Sequence, residues 1–171
     1  MSKCRVTAVV AAGVFFLASA CTFTPLDPRA IAWFLGGRYI DDVDVIHQRS
    51  RHDCGVAALE MVLRHFGRTN EALDSLRLVS QRRARGLSFG DLQDKASSLG
   101  LDSHGWTMTT GDLGSVPLPA VVHFPGHFLV LDSLGRGWFY LRDPSSGRIR
   151  MTPDSFRRRW SGRILVFGPT S

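Results

Sequence analysis

HQRSRHDCGVAALEMVLRHFG, residues 47–67, contains a helix that can be drawn before any other part of the chain. Val56, Leu59, Leu63 and Phe66 recur three and four residues apart on one face, Glu60 and Arg64 pair on another, and Gly67 supplies a stop. A helix is therefore predicted from about Cys54. Its first turn is where backbone N–H groups point outward and the dipole favours an anion, so a thiolate there is stabilised and made nucleophilic near neutral pH.

Working outward, residues Tyr39 to Gln48 read as a strand entering this helix. A second helix is predicted from a cap at Asn70, presenting Leu73, Leu76 and Val79. A third starts at Ser88, whose capping-box partner is Asp91, and presents Phe89, Leu92, Ala96 and Leu99 before Gly100. After Leu101 the pattern changes to short apolar runs broken by turns: AVVHF, Pro125-Gly126, HFLVLD, WFYLRD, PSSG, RIRM and ILVF. Sequential strands with tight connections make an antiparallel sheet, interrupted by a short helix between Thr152 and Trp160 with Pro153 at its first position. Helices first and sheet second give an α+β domain.

The 171 residues suffice for one domain, and 44% hydrophobic against 21% charged residues is an ordinary globular composition. The formal charge is +6, but Lys3 and Arg5 lie in a segment expected to be removed, leaving roughly +4. The arginine clusters at residues 82–85 and 157–159 carry no pattern of interleaved aromatics in the first case and read as solvated faces, so no nucleic-acid partner is expected.

The first twenty residues combine a basic start, an apolar run and small residues, the order of a secretory signal. The apolar run from Val6 to Ala20 is 15 residues, short of the ~20 that span a bilayer. Leu17 to Cys21, LASAC, resembles a bacterial lipobox, with Ala18 where Leu is preferred; this implies a lipid on Cys21 and attachment to a membrane. Thr22 rather than Asp after it resembles outer-membrane sorting, hence a periplasmic location. Cleavage after Ala20 without lipidation is the alternative. The expected organisation is signal 1–20, tether 21–38 and folded domain 39–171. With Cys4 removed and Cys21 capped, Cys54 has no disulfide partner, and a lone thiol in an oxidising compartment is either buried or used.

A cysteine nucleophile needs a base within reach in the fold. His47 and His52 are close to Cys54 along the chain, His65 is at the far end of the helix, and His104 falls in an irregular stretch. His123 and His127 flank the Pro-Gly turn; His127 starts a strand that would hold it rigidly, whereas His123 sits mid-strand and reads as a core histidine. The group that orients the base is Asp143 at the end of WFYLRD or, in competition, Asp132; both also suit turn initiation. Zinc is disfavoured because Pro125-Gly126 breaks any helix between the two histidines and no second cysteine or glutamate cluster is near.

Gln48, Asp53-Cys54-Gly55, LPAVVHFPGHFLVLD, RDPSSG and FRRRWSGRILVF, in order from Tyr39 to Phe167, resemble the bacteriocin-processing (double-glycine leader) cysteine peptidases. The resemblance implies a papain-like fold with Cys54 as nucleophile, His127 as base and Asp143 as orienting acid. Gln48 would form an oxyanion hole with the Cys54 N–H. It implies a peptide or protein substrate cut after Gly-Gly or Gly-Ala, in a narrow site that Phe124, Phe128 and Trp138 are available to line. No cofactor is expected, and no ATP, because the transporter and ATPase parts of familiar members are missing from the expected organisation. The rivals are an inactive peptide-binding module and amidase or transglutaminase-like acyl transfer on the same scaffold.

Overall fold

The computed structural model describes residues 27–68, 73–83 and 86–169. The expected signal, Cys21 and the Asn70 cap lie outside the described residues. In chain order the elements are α1 Pro28–Phe34, β1 Gly37–Asp41, α2 Cys54–His65, α3 Leu73–Arg82, α4 Phe89–Ser98, β2 Leu101–Thr107, a 3₁₀ turn Asp112–Ser115, β3 Ala120–Phe124, β4 His127–Gly135, β5 Trp138–Asp143, β6 Gly147–Met151, α5 Pro153–Arg159 and β7 Arg163–Pro169. The strands form one antiparallel sheet in the order β1-β6-β5-β4-β3-β7-β2. This is the α+β, papain-like peptidase architecture: helices of the first half, the cysteine at a helix start, packed on a sheet from the second half.

The sheet divides the core in two because alternate strand residues face opposite sides. Val121, Val130 and Leu165 pack with α2 and α4 around Leu59, Leu63 and Leu92. Val122, Leu129, Leu131 and Ile164 pack on the other side with Ala32 of α1, Phe156 of α5 and Trp160 just after it. Each fully buried Leu or Ile stabilises the fold by roughly 1.5–3 kcal/mol.

Local chemistry accounts for the element ends. Gly67 takes φ +68° and its N–H reaches Arg64 O at 3.0 Å, closing α2. Ser88 and Asp91 form the expected capping box on α4, and Pro153 stands at the start of α5 behind the Thr152 cap. Pro125-Gly126, with Gly126 at φ +80°, joins β3 to β4 in two residues, as Pro followed by a positive-φ Gly suits a tight turn.

Four expectations need correction. Part of the stretch expected as a tether is helical: Asp27 caps α1 by accepting from Arg29 N at 2.9 Å, and Pro28 sits in the first turn. Those residues read as a tether because a seven-residue helix is too short to show periodicity. The strand expected over 39–48 ends at Asp41, whose side chain accepts from Val43 N at 3.0 Å and turns the chain, with Asp44 at φ +58° just beyond. His104 lies in a regular strand, β2, whose pattern is faint because it is an edge and only its first half is covered. Finally, α3 buries Leu73, Arg77 and Ser80 and leaves Val79 40% exposed. An arginine is drawn inside there by buried acids described next. No helix among the described residues is long and apolar enough to cross a membrane.

Candidate active site

Cys54 opens α2, is 6% exposed and is the free cysteine of the described residues. Gly55 follows it because the Phe128 ring needs the space: an added Cβ would meet that ring at 3.1 Å. Asp53 at the N-cap position is fully buried; its Oδ1 accepts from Ser80 Oγ at 2.8 Å, and Arg77 Nη1 stands 4.0 Å from its Oδ2. Arg77 also pairs with Glu60 of α2, so a buried charge network clamps α3 to the helix that carries the cysteine.

His127 stands between Cys54 and Asp143. Its Nε2 is 2.7 Å from Asp143 Oδ1, and its ring also hydrogen-bonds Cys54, for which Nδ1 is the nitrogen left. Asp143 is fully buried and accepts from Ser145 N and Ser145 Oγ at 2.8 Å and from Ser146 Oγ at 2.8 Å. It therefore initiates its turn and holds the histidine at once. Ser145 and Ser146 were legible in the sequence only as turn residues.

The electrostatics follow from these contacts. Burial pushes the Cys54 thiol up, but the His127 hydrogen bond and charge, with the backbone amides of Phe128 and Gly55, outweigh it and hold the thiol below its usual range. Burial pushes His127 down, yet Asp143 and Cys54 raise it to about 10. Burial raises Asp143, and His127 and Ser145 more than offset this, lowering it. Both shifts favour the thiolate–imidazolium form of the pair.

The other candidates make different contacts, and His123, expected in the core, is only half-buried. Asp132 is ion-paired with Arg142 at 2.8 Å, not with a histidine. His123 contacts Ser161 Oγ at 3.1 Å through Nδ1, and burial, then Arg163 and His127, lower its pKa. His47 pairs with Asp42 at 3.3 Å, and His65 packs edge-on to Phe66. Gln48 donates its backbone N–H to Pro144 O at 2.9 Å, which moors it beside the Asp143 turn, and its side-chain oxygen is buried without a hydrogen-bond partner among the described residues.

A cleft of about 480 Å³ opens beside Cys54, bordered by Arg51, His52 and Leu87 on one side and by His123, Gly126 and Phe128 of the β3–β4 hairpin on the other. Phe89 packs edge to face on both Phe128 and His123, which are tilted against each other, with ring centroids 5.1–6.1 Å apart. Of the three bulky residues expected near the cut, Phe128 alone borders the cleft. Phe124 faces the opposite side of the sheet against Phe156, and Trp138 lies at the far end of β5 under Arg150, because strand alternation and direction carry them away.

Residues 42–171 match the family model described as the Peptidase C39 family. The chain belongs to that family. It is thus a cysteine peptidase domain. Among its relatives, the probable microcin-H47 secretion/processing ATP-binding protein MchF of Escherichia coli is 34% identical over 144 residues, 84% of this chain and 20% of that protein. The probable functional amyloid protease FapD of Pseudomonas fluorescens is 28% identical over 134 residues, 72% of this chain and 59% of that protein. The chain spans about a fifth of the length of the Escherichia coli transport protein it matches. Among solved structures, a double glycine motif protease from an AMS/PCAT transporter in complex with its leader peptide superposes with a TM-score of 0.69 at 27% identity, covering 74% of this chain and 91% of that one.

Proposed function

We propose that the chain hydrolyses a peptide bond through Cys54, His127 and Asp143, with Gln48 and the Cys54 N–H receiving the carbonyl oxygen. The observation that carries this reading is the 2.7 Å contact from His127 Nε2 to a buried, fully bonded Asp143, with the ring's other side turned to Cys54. The thiolate sulfur attacks the scissile carbonyl carbon, and its oxygen takes up the negative charge in front of the α2 amide and the Gln48 carboxamide. His127 gives its proton to the departing amine as the C–N bond breaks, leaving a thioester. Water then attacks the thioester; His127 takes its proton and returns the sulfur to thiolate as the acid leaves.

The substrate in this proposal is a peptide or protein with Gly-Gly or Gly-Ala before the cut. Support comes from the likeness to a double glycine motif protease and from the bulky Phe128 ring, which borders the cleft beside Cys54. The likeness to a protease over 59% of its length supports proteolysis as the activity. The proposed setting is the periplasmic face of a membrane, with a lipid on Cys21; the LASAC sequence supports it. An unmodified Cys21 in the intact mass of the mature protein would remove the anchor.

The activity test uses a peptide library varied at the residue before the cut. Cleavage should collapse once that residue exceeds alanine, since added methylenes in a filled site cost strain. Efficient cutting after leucine or arginine overturns the proposed specificity. Labelling of Cys54 by iodoacetamide no faster than a free thiol would mark a peptide binder instead.

A further inference from the structure

Strand β5 runs from Trp138 to Asp143, a span of about 17 Å at the usual rise. Asp143 marks the end that carries the cysteine site. At the other end, Gly37 and Arg38 of β1 and Met151 of β6 adjoin Trp138, and α1 and α5 meet them. This second pole is aromatic and basic. Trp33 is 80% and Phe34 71% exposed. The Arg150 guanidinium lies 4.6 Å from the Trp138 ring centroid, Arg38 lies at 6.0 Å, and Arg159 lies 5.6 Å over Phe34 while also donating to the Phe34 carbonyl. Arg157 and Arg158 extend the charge along α5, against the nearby carboxylates of Asp154 and Asp27.

We infer that this pole is a docking surface for the headgroups of an anionic bilayer. Three observations select that occupant. A guanidinium stacked on a ring keeps its N–H edge free, and that edge matches phosphate oxygens in two-point contact. Exposed Trp and Phe beside arginines are the chemistry of the interfacial zone, where the ring enters the acyl boundary and the cation stays at the phosphates. The chain also enters the fold here: only residues 21–27 separate α1 from the apolar run ending at Ala20, and seven residues reach at most about 25 Å. The last of these rests on the proposed membrane attachment; the surface chemistry stands apart from it. Docking at this pole turns the cleft, at the opposite strand ends, toward soluble substrates.

The full chain, mixed with phosphatidylcholine vesicles or with the same vesicles containing phosphatidylglycerol, is followed by flotation and by amide hydrogen exchange. Flotation reads attachment; exchange reads the surface. Slowed exchange over residues 28–38 and 150–159 with phosphatidylglycerol, weakening with salt, is the expected result. In the exposed double variant Arg157→Glu/Arg158→Glu that protection should fall on the order of tenfold, with peptide cleavage unchanged. A chain that floats equally with both vesicles and exchanges equally at these segments overturns the docking surface and leaves the anchor standing. Protection seen only with the anionic vesicles, in a chain that does not float with the neutral ones, supports the surface and overturns the anchor. Failure to float with either overturns both. Protection present without lipid would show that the chain's own residues cover the pole, and would also overturn the inference.

Discussion

The two ends of the sheet are built on opposite terms. At the Asp143 end, charged groups are largely buried and paired: Asp143 with His127 and two serines, His127 with Asp143 and Cys54, and one oxygen of Asp53 with Ser80. At the Trp138 end, arginines and aromatic rings stand open to solvent. Burial strengthens every interaction at the first end and makes an unanswered charge there costly, whereas solvent and salt screen the second. One end is suited to holding a reactive geometry and the other to meeting a large charged surface. Substitutions should therefore separate them.

The largest effect belongs to the sealed end. Cys54→Ala or His127→Ala should each lower kcat about a million-fold and Asp143→Ala about ten-thousand-fold, whereas His123→Ala keeps turnover; peptide cleavage assays decide this. Full activity in His127→Ala with loss in His123→Ala would exchange their roles. Gln48→Ala should cost a smaller factor, about a hundred- to a thousand-fold in kcat, as expected for one donor to a developing oxyanion.

The thiolate–imidazolium pair sets the pH response. With His127 raised to about 10, kcat/KM should hold across neutral pH and fall on the alkaline side near that value as the ring loses its proton. In Asp143→Ala that limb should move to lower pH, because the main partner that raises His127 is gone. The same shift carries stability. His127 rises from an ordinary 6.5, so its contribution is full below about 6.5 and is lost as pH climbs through about 10. Thermal melts at pH 6 and pH 10 would read it as a lower Tm at the higher pH.

Arg77→Met tests the support beneath the site. It leaves buried Asp53 without a cation and Glu60 with Arg64 alone, and should destabilise the fold by about 3 kcal/mol in urea titration. The smallest expected effect is at the open end: Trp138→Ala should leave kcat/KM on a soluble peptide within about twofold, since substitutions away from buried networks rarely propagate. A large loss there would join the two ends.

Local pattern and tertiary register divided the information in this chain. The apolar spacing of Val56, Leu59 and Leu63, the Ser88–Asp91 box, Pro153 and the alternating runs of β3 to β7 are written in neighbours a few residues apart, so helix α2, its cysteine and most of the sheet could be read directly. α1 and β2 could not, because a seven-residue helix and a half-covered edge strand carry too few buried positions for a pattern to emerge. Pattern favours His127 over His123 only by its place at the start of a strand, and it leaves Asp132 in competition with Asp143. Each pair sits on similar strands, and what distinguishes them is which side chain the pairing of β4 with β5 brings to the start of α2. The placing of Phe124 and Trp138 away from the cleft is of the same kind. Helix and strand propensities are local, but burial, hydrogen-bond partners and therefore pKa values depend on contacts between residues far apart in the chain, and those exist only once the sheet has closed over the helices.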